Sequence, residues 1–367
     1  MLLCRVSPDL TPTGRNVKIT SHTLARLPRG YSIAVIPGAP PGELPEFLAG
    51  SEGDHELLHF APPEYRPRLV ARAPGGFISI LSMARNARRY AVAATLFKPG
   101  FDGAAGEIRI FPLDENAATP GITVAHLAYT HRITMFRHDG GDFLLASTLC
   151  AGKSHREDWS LPGGIHLAEV PADPRQPWAL RQIVSGLSKN HGMDFAELGP
   201  ERRPGWLLSA MEGLFFLPLP ADPRGAWVRE AIANTETSDA SAYDWDGDGE
   251  PEVFSISPFH GEVLALHKRT RQGWRRSVIH DDLAMGHIVW AGRFLGRAGL
   301  LAGSRRGRRE LRLYRPAADG TVDRAYEVID EGIGSTQLGV VARGDRAAVL
   351  YVAAHGVDEI RRYDIEA

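Results

Sequence analysis

The sequence lacks the features that identify several large classes of protein. Its 367 residues include two cysteines, Cys4 and Cys150, so no disulfide framework stabilises the fold. No run approaches the roughly 18 apolar residues that a membrane-spanning helix needs. The first ten residues contain Arg5 and Asp9, and they have no apolar core of a signal peptide. We therefore expect a cytoplasmic protein without a membrane partner.

An excess of charge of one sign is also missing. The chain has 42 Lys and Arg against 44 Asp and Glu, a net charge of -2, and a pI of about 6.7. No basic stripe stands out, which argues against a nucleic-acid partner. No nucleophile elbow, phosphate-binding glycine loop, CxxC pair or dinucleotide-binding fingerprint occurs either. These absences exclude the enzyme classes that depend on those motifs.

Long helical periodicity is scarce, and short apolar, β-branched runs take its place. A unit of turn, apolar strand, loop and alternating strand recurs about every 50 residues, a period typical of β-propellers. Its seven instances begin near Glu46, Tyr90, Asp142, Gly205, Glu252, Gly299 and Ala347. The sequence therefore predicts an all-β, seven-bladed β-propeller, with residues 1–367 as a single domain and residues 1–15 as an irregular N-terminal arm.

The two chain ends predict how the ring of blades closes. The last repeat lacks a closing strand, whereas Val17–Leu24 forms a strand that no earlier strand precedes. An open sheet edge is a liability, and pairing the two ends would remove it. We therefore expect Val17–Leu24 to be the outer strand of the last blade, paired with Glu359–Tyr363.

Loops on one face of a propeller surround a central funnel, and the predicted funnel loops are rich in histidine. The loops that enter the innermost strands carry His131, His191 and His287 in equivalent register. A lone histidine at such a place is usually a hydrogen-bonded turn residue, but a common register around one axis favours convergence. Three neutral imidazoles are the ligand set of a catalytic zinc, and His260 is a possible fourth ligand.

The hairpin loops on the same face add other ionisable groups. Glu212 lies between two apolar strands, so it is a candidate acid, base or metal ligand, the alternative being an ordinary turn carboxylate. Lys153 and Arg305 are candidates for holding a substrate oxyanion or carboxylate, although charged hairpin tips are usually only solvated. Lys98 is a weaker candidate of the same kind. His155 and His355 end two further hairpin strands.

A separate motif predicts a calcium loop. The segment Asp244-Trp-Asp246-Gly-Asp248-Gly-Glu-Pro-Glu252 has the alternating carboxylates and glycine turn that suit a hard cation. It follows an innermost strand, so we place it on the face opposite the funnel. We expect a structural Ca²⁺ there; the alternative is a merely polar turn.

Taken together, these segments resemble known families. The Asp244–Glu252 loop and the strand after it resemble the FG-GAP/VCBS repeats of calcium-loop propellers. The segments THRITMF, KNHGMDF, GHIVWAG, LLASTLCAGKS and SAMEGLFFLPLP resemble the propeller domain of aldos-2-ulose dehydratase, from about Ile19 onward. The resemblance implies a seven-bladed propeller with a funnel metal, which we expect to be zinc, and a lyase that eliminates water from a keto-sugar such as 1,5-anhydrofructose.

That chemistry gives the candidates roles. A metal on three histidines would act as a Lewis acid on the enolate oxygen. His260 or Glu212 would remove the α proton, and His155, His355 or a metal-bound water would protonate the leaving hydroxyl. Two alternatives stay open: a propeller polysaccharide lyase that clamps a uronate with positive groups, and a non-catalytic sugar-binding propeller. The latter is expected to have aromatic platforms, and the funnel loops contain little Trp.

Overall fold

The computed structural model describes residues 17–40, 42–53, 56–96, 102–114 and 120–367. The expected N-terminal arm at residues 1–15 and the candidate Lys98 lie outside these ranges. Within them, no helix is long and apolar enough to cross a membrane. A three-residue 3-10 helix, His355–Val357, is the one helix of the described ranges.

The described residues form seven four-stranded antiparallel sheets, the blades. The first strand of each blade lies next to the central axis. These innermost strands are β2 (Gly30–Val35), β6 (Phe77–Arg85), β10 (Thr130–His138), β14 (Gly192–Leu198), β18 (Asp239–Tyr243), β22 (Gly286–Phe294) and β26 (Gln337–Ala342). Each contacts the innermost strands of both neighbouring blades, so the seven blades make a closed ring.

The remaining strands follow outward in chain order. The second strands are β3 (Phe47–Ser51), β7 (Arg88–Thr95), β11 (Gly141–Thr148), β15 (Arg203–Ala210), β19 (Glu252–Ser257), β23 (Arg297–Ser304) and β27 (Ala347–Ala354). The third strands are β4 (Glu56–Phe60), β8 (Glu107–Pro112), β12 (Gly163–Glu169), β16 (Gly213–Pro218), β20 (Val263–Thr270), β24 (Leu311–Pro316) and β28 (Glu359–Glu366). The outer strands are β5 (Arg68–Arg72), β9 (Ile122–His126), β13 (Arg181–Leu187), β17 (Glu230–Ala233), β21 (Gly273–His280), β25 (Val322–Asp330) and β1 (Lys18–Arg26).

The core is divided among the contacts between blades. Each second strand is covered on both faces by neighbouring blades, which is why β27 reads as a continuous apolar run and is almost fully buried. Buried apolar residues form seven clusters, one between each pair of adjacent blades. Between the last and first blades, Tyr351 stacks on Phe47 with ring centroids 4.1 Å apart, and its hydroxyl donates to Tyr65 Oη at 2.8 Å. Packing between blades is therefore the main source of hydrophobic stabilisation.

The predicted fold and ring closure are confirmed. Strand β1 pairs with β28 from Lys18 opposite Glu366 to Arg26 opposite Glu359. It starts one residue later and ends two residues later than the predicted Val17–Leu24. The last blade therefore combines three strands from the end of the chain with one from its beginning.

A repeated turn sets the direction of the funnel side chains. In six blades a residue with left-handed backbone conformation lies two positions before the side chain at the top of the innermost strand. The turn residues are Arg29, Gly76, Tyr129, Lys189, Met285 and Gly334, and the residues two positions later are Tyr31, Ile78, His131, His191, His287 and Thr336. We call these six residues the funnel positions.

At four funnel positions the pairing with the second strand is shifted by one residue, which is a β-bulge. The bulges fall at Tyr31, Ile78, His131 and His287. A bulge leaves one residue out of the ladder and turns its side chain away from the regular alternation. This local geometry explains how side chains from blades far apart in sequence meet near the axis.

Removing β1 tests the ring closure. Deletion of residues 1–26 removes the outer strand of the last blade and uncovers β28, so we expect a melting transition that is broader and lower by about 10 °C. Thermal denaturation followed by circular dichroism measures it. Lys18→Ala is the matched control, because both partners of its ion pair with Glu366 are more than half exposed and such pairs contribute little. An unchanged transition in the deletion variant would contradict the closure.

Candidate functional site

Four histidines and one tyrosine meet at the top of the central channel. The ring centroids of His131 and His191 are 4.2 Å apart, and those of His191 and His287 are 5.0 Å apart. His260, from the hairpin loop between β19 and β20, lies over them, with its Nε2 3.2 Å from His191 Nε2. The Tyr31 hydroxyl lies 3.1 Å from His287 Nε2 and 3.3 Å from His131 Nε2. The structure thus brings together the three histidines that the sequence predicted to converge and His260, the predicted fourth, and it adds Tyr31.

Backbone carbonyls fix the tautomers of the three deep histidines. The Nδ1 atom of His131 lies 3.0 Å from His191 O, that of His191 lies 3.1 Å from Ser238 O, and that of His287 lies 2.8 Å from Thr336 O. A carbonyl oxygen only accepts, so each Nδ1 carries the hydrogen and each Nε2 presents its lone pair to the centre. In each case the carbonyl belongs to the next blade. Such a bond on the far nitrogen is the usual companion of a metal-binding histidine.

Burial in the protein keeps the histidine rings neutral. Tyr31, His131, His191 and His287 are at most 3% exposed. Burial, helped by nearby positive charges, lowers the pKa of the three deep histidines well below its ordinary value. Burial, together with Arg305 and Arg132, lowers the pKa of His260 to about 3, and burial raises the pKa of Tyr31 to about 12. The centre therefore offers neutral imidazoles and a protonated phenol at neutral pH.

The donor set fits a divalent metal of the zinc type. One nitrogen from each of His191, His260 and His287 lies within 4.8 Å of the other two. A tetrahedral zinc bonded at about 2.0–2.1 Å holds its ligand nitrogens about 3.3 Å apart, close to the 3.2 Å between His191 and His260. This group differs from the predicted triad in having His260 in place of His131.

A charged cluster forms one side of the funnel rim. Glu52 Oε1 accepts from Arg29 Nη2 at 2.7 Å and from His355 Nε2 at 3.1 Å. Arg305 Nη2 lies 3.2 Å from His355 Nδ1. The same Nη2 lies 3.0 Å from His355 Nε2, so the guanidinium contacts both ring nitrogens. Since the carboxylate only accepts, Nε2 of His355 carries the hydrogen that it donates to Glu52. Burial raises the pKa of Glu52, but the bonds from His355 and Arg29 and the charge of Arg305 outweigh it and hold that pKa at about 2.

An aromatic corner, defined here as Trp159 and Phe259, forms the opposite side. The two rings meet edge to face with centroids 6.1 Å apart, and Phe259 stacks on His260 at 4.1 Å. The predicted substrate-binding Lys153 places its Nζ 3.2 Å from the centroid of the Trp159 ring and donates to Arg156 O at 2.6 Å. Lys189 is paired with Glu236 at 2.8 Å. This side therefore combines aromatic surface with positive charge.

The other predicted site residues have neighbours outside the histidine centre. Glu212 lies in the turn between β15 and β16, where its Oε2 accepts the Ser188 N–H at 2.8 Å. His155 is exposed on the loop between β11 and β12, with its Nδ1 3.0 Å from Ser154 Oγ. His355 and Arg305 belong to the Glu52 cluster. Of the predicted acid and base candidates, His260 is therefore the one that contacts the buried histidines directly.

Sequence reasoning missed Tyr31 and the aromatic corner. Tyr31 occupies the same funnel position in the first blade as His131 and His287 in theirs, so an alignment of Gly30-Tyr31 with Gly286-His287 was the available signal. Phe259 is adjacent to the predicted His260. No pattern marks Trp159, because its position depends on the path of the long loop after β11.

The ammonium group of Lys268, on β20, lies among the carboxylates of the predicted calcium loop. The loop joins β18 to β19 on the face opposite the funnel, as expected. Lys268 Nζ donates to Asp246, to Asp248 Oδ2 at 2.9 Å and to Glu252 Oε1 at 2.8 Å. Oxygens of Asp244, Asp246 and Glu252 also lie close enough together to hold a metal ion. Calcium at these carboxylates would therefore compete with Lys268.

Comparisons with known proteins support the fold. No family model and no curated protein match the sequence. Among solved structures, an ancestral GH74 enzyme superposes with a TM-score of 0.59 at 10% identity over 93% of this chain and 48% of that chain. A protein of unknown function from Dyadobacter fermentans gives 0.53 at 14% identity, over 95% and 99% of the two chains. The PQQ-bound aldose sugar dehydrogenase from Streptomyces coelicolor gives 0.47 at 15% identity, over 96% and 99%.

The chain spans about half the length of the GH74 enzyme. At 10% and 14% identity, the similarity to the first two structures shows the fold alone. The chemistry of the site therefore has to be argued from the residues of this chain.

The Glu52 cluster predicts a pH-dependent contribution to stability. Because folding lowers the pKa of Glu52 from 4.5 to about 2, its stabilisation is present at neutral pH and is lost as the pH falls through that interval. We expect Glu52→Gln to lower the free energy of unfolding by about 3 kcal/mol at pH 7 and by progressively less below pH 4.5. Urea denaturation across this pH range measures the difference. Glu366→Gln, at an exposed ion pair, is the control, and a pH-independent gap for Glu52→Gln would refute the assignment.

The Lys268 contacts predict how the Asp244–Glu252 loop responds to calcium. Lys268→Gln leaves the carboxylates without their counter-charge, so we expect a lower melting temperature in EDTA and a recovery with calcium that exceeds any gain of the wild type. Arg269→Gln, which removes an exposed contact to Glu250, is the matched control. Equal calcium shifts in wild type and Lys268→Gln would show that the ion and Lys268 do not compete.

Proposed function

We propose that the funnel holds a divalent metal, zinc by preference, and eliminates water from a keto-sugar of the aldos-2-ulose or 1,5-anhydrofructose type. The observation that carries the metal is that one nitrogen from each of His191, His260 and His287 lies within 4.8 Å of the other two, while carbonyls hold the Nδ1 atoms of His191 and His287. The keto-sugar rests on the resemblance of THRITMF, KNHGMDF and GHIVWAG to the dehydratase propeller.

In this proposal His191, His260 and His287 are the ligands. When bound, the metal would polarise the ketone and stabilise negative charge on its oxygen. His131 then orients the Tyr31 hydroxyl, which it faces at 3.3 Å. This assignment differs from the triad of His131, His191 and His287, and the metal content of His131→Ala and His260→Ala separates the two. Ligand loss should deplete the metal, whereas loss of an orienting residue should not.

The remaining residues handle protons. With His260 used as a ligand, Glu212 is the proposed base: its Oε2 accepts the Ser188 N–H, and Oε1 takes the α proton of the sugar. The electron pair of the broken C–H bond forms the C=C bond, and the β C–O bond breaks. Tyr31, protonated because burial raises its pKa to about 12, gives its proton to the leaving hydroxyl, which departs as water.

The contacts of the rim bear on the two alternatives. A uronate lyase needs a positive clamp, but Arg29 pairs with Glu52, Arg305 lies 3.9 Å from the same carboxylate, and Lys189 pairs with Glu236. Because carboxylates already neutralise these positive groups, the rim favours an uncharged substrate over a uronate. A funnel that binds a sugar without transforming it is the second candidate, and the aromatic corner of Trp159 and Phe259 favours it, since such rings stack on sugars.

Metal analysis and an elimination assay test the proposal together. Purified protein is expected to contain one divalent metal per chain and to form an enone from 1,5-anhydrofructose, followed by its absorbance. His191→Ala should deplete the metal and slow elimination by about 100-fold or more, which is about 3 kcal/mol of transition-state stabilisation. The fold should survive, because the packing between blades does not depend on this side chain.

His126→Ala is the matched control, because the His126 side chain is 79% exposed on β9, away from the funnel. It should retain full metal content and turnover. If His191→Ala retains both as well, the histidines are structural turn residues and the sugar-binding alternative replaces the proposal.

A further inference from the structure

On the far side of the histidine layer from the funnel mouth, the central channel contains a cavity of about 280 Å³. It begins at His287 and Thr336 and extends along β22 and β26 to Trp290 and Leu338. Apart from His287, which is a proposed metal ligand, no residue of its lining has a role in the function proposed above. The lining of this cavity is therefore largely distinct from the residues of the funnel.

Three charged groups face this cavity. Arg132 is 7% exposed, and its Nη1 has no hydrogen-bond partner among the described residues. Its Nη2 lies 3.9 Å from Asp239 Oδ2, too far for a hydrogen bond. Asp194 also lines the cavity, where solvent reaches it although protein surrounds it. The cavity thus contains a buried guanidinium nitrogen without a hydrogen-bond partner among the described residues. It also contains two carboxyl groups, of which Asp194 accepts from Ser241 and Asp239 accepts from the Ala240 N–H.

Gly192 provides the space that Asp239 occupies beside the channel. A Cβ at Gly192 would lie 2.5 Å from Asp239 Oδ1 and 2.8 Å from its Cα. Any other residue at Gly192 would therefore displace Asp239 from the channel. Burial raises the pKa of Asp239 to about 7 and that of Asp194 to about 6, so the pair carries less than its full negative charge at neutral pH.

Two aromatic residues complete the lining. Trp290 is half-buried, and Phe195 is 53% exposed, which is unusual for so large an apolar side chain. Aromatic surface beside a guanidinium and carboxyl groups is a combination that suits a sugar ring, which presents C–H faces and hydroxyl edges. The guanidinium donates to hydroxyl oxygens, and the carboxyl groups accept from hydroxyl hydrogens.

We propose that this channel cavity binds a small, neutral, polyhydroxylated molecule, a sugar or a polyol, independently of the funnel. Arg132 disfavours a cation at the same place, and Asp194 and Asp239 disfavour an anion. A neutral molecule with several hydroxyls provides the missing donors and acceptors at once. The site adjoins the proposed dehydratase centre at His287 but does not require its metal.

The indole N–H signals of the ¹⁵N-labelled protein test the proposal, because Trp290 reports on the cavity and Trp159 on the funnel rim. D-Glucose is the probe, glycerol distinguishes a ring from an open-chain polyol, and Trp290→Phe and Trp159→Phe assign the two signals. We expect D-glucose to shift the Trp290 signal saturably. Asp194→Ala should weaken this binding about tenfold or more, or about 1.4 kcal/mol.

Phe195→Ala is a second variant at an exposed position, and a thermal melt of each variant confirms that it is folded. His260→Ala, on the funnel side, should bind D-glucose at Trp290 as the wild type does even if it loses metal. A wild-type Trp290 signal that D-glucose does not move, a response confined to Trp159, or equal binding by both folded cavity variants would overturn the proposal.

Discussion

The arrangement of the site depends on hydrogen bonds that run from one blade to the next around the axis. His131, His191 and His287 each present Nδ1–H to a main-chain carbonyl of the following blade. Thr336 continues the pattern by donating its hydroxyl to Tyr31 O at 2.9 Å. Each bond satisfies a buried carbonyl and fixes a ring orientation at the same time. The hydrogen bonds that cross from one blade to the next therefore also direct the nitrogen lone pairs inward.

The two sides of the funnel differ in their electrostatics, because ion pairs with Glu52 neutralise charge on one side and lysines lie against aromatic rings on the other. On one side Glu52 gathers Arg29, His355 and Arg305 into a connected network of low net charge. On the other, aromatic rings lie against Lys153 and Lys189. A substrate in this funnel would meet directional hydrogen-bonding groups on one side and a flat apolar surface on the other. Such asymmetry is what orients a small ligand.

Features that repeat along the chain were predictable from the sequence. The seven units, the closure by β1 and the convergence of His131, His191 and His287 all follow from periodicity, because a repeat converts sequence position into angle around an axis. Contacts that break the repeat were not predictable. Lys268 reaches the Asp244–Glu252 loop from another strand, and Trp159 reaches the funnel through an irregular loop.

The effect of the bulges was only partly predictable from the sequence. Tyr31 was within reach of a careful alignment of funnel positions, but the one-residue shift that turns it inward depends on the pairing of β2 with β3, which no local pattern reveals. The same holds for Arg132 and Asp239, whose proximity across the channel needs the ring to be assembled.

The shared last blade has a consequence for vectorial synthesis on the ribosome. Because β1 pairs with β28, the first of the described strands has to wait for the last of them before its sheet exists. The carbonyl that orients His287 belongs to the same blade, at Thr336. The histidine centre is thus completed only after Thr336 has been translated, so a product interrupted before this residue would carry the histidines without their final orientation.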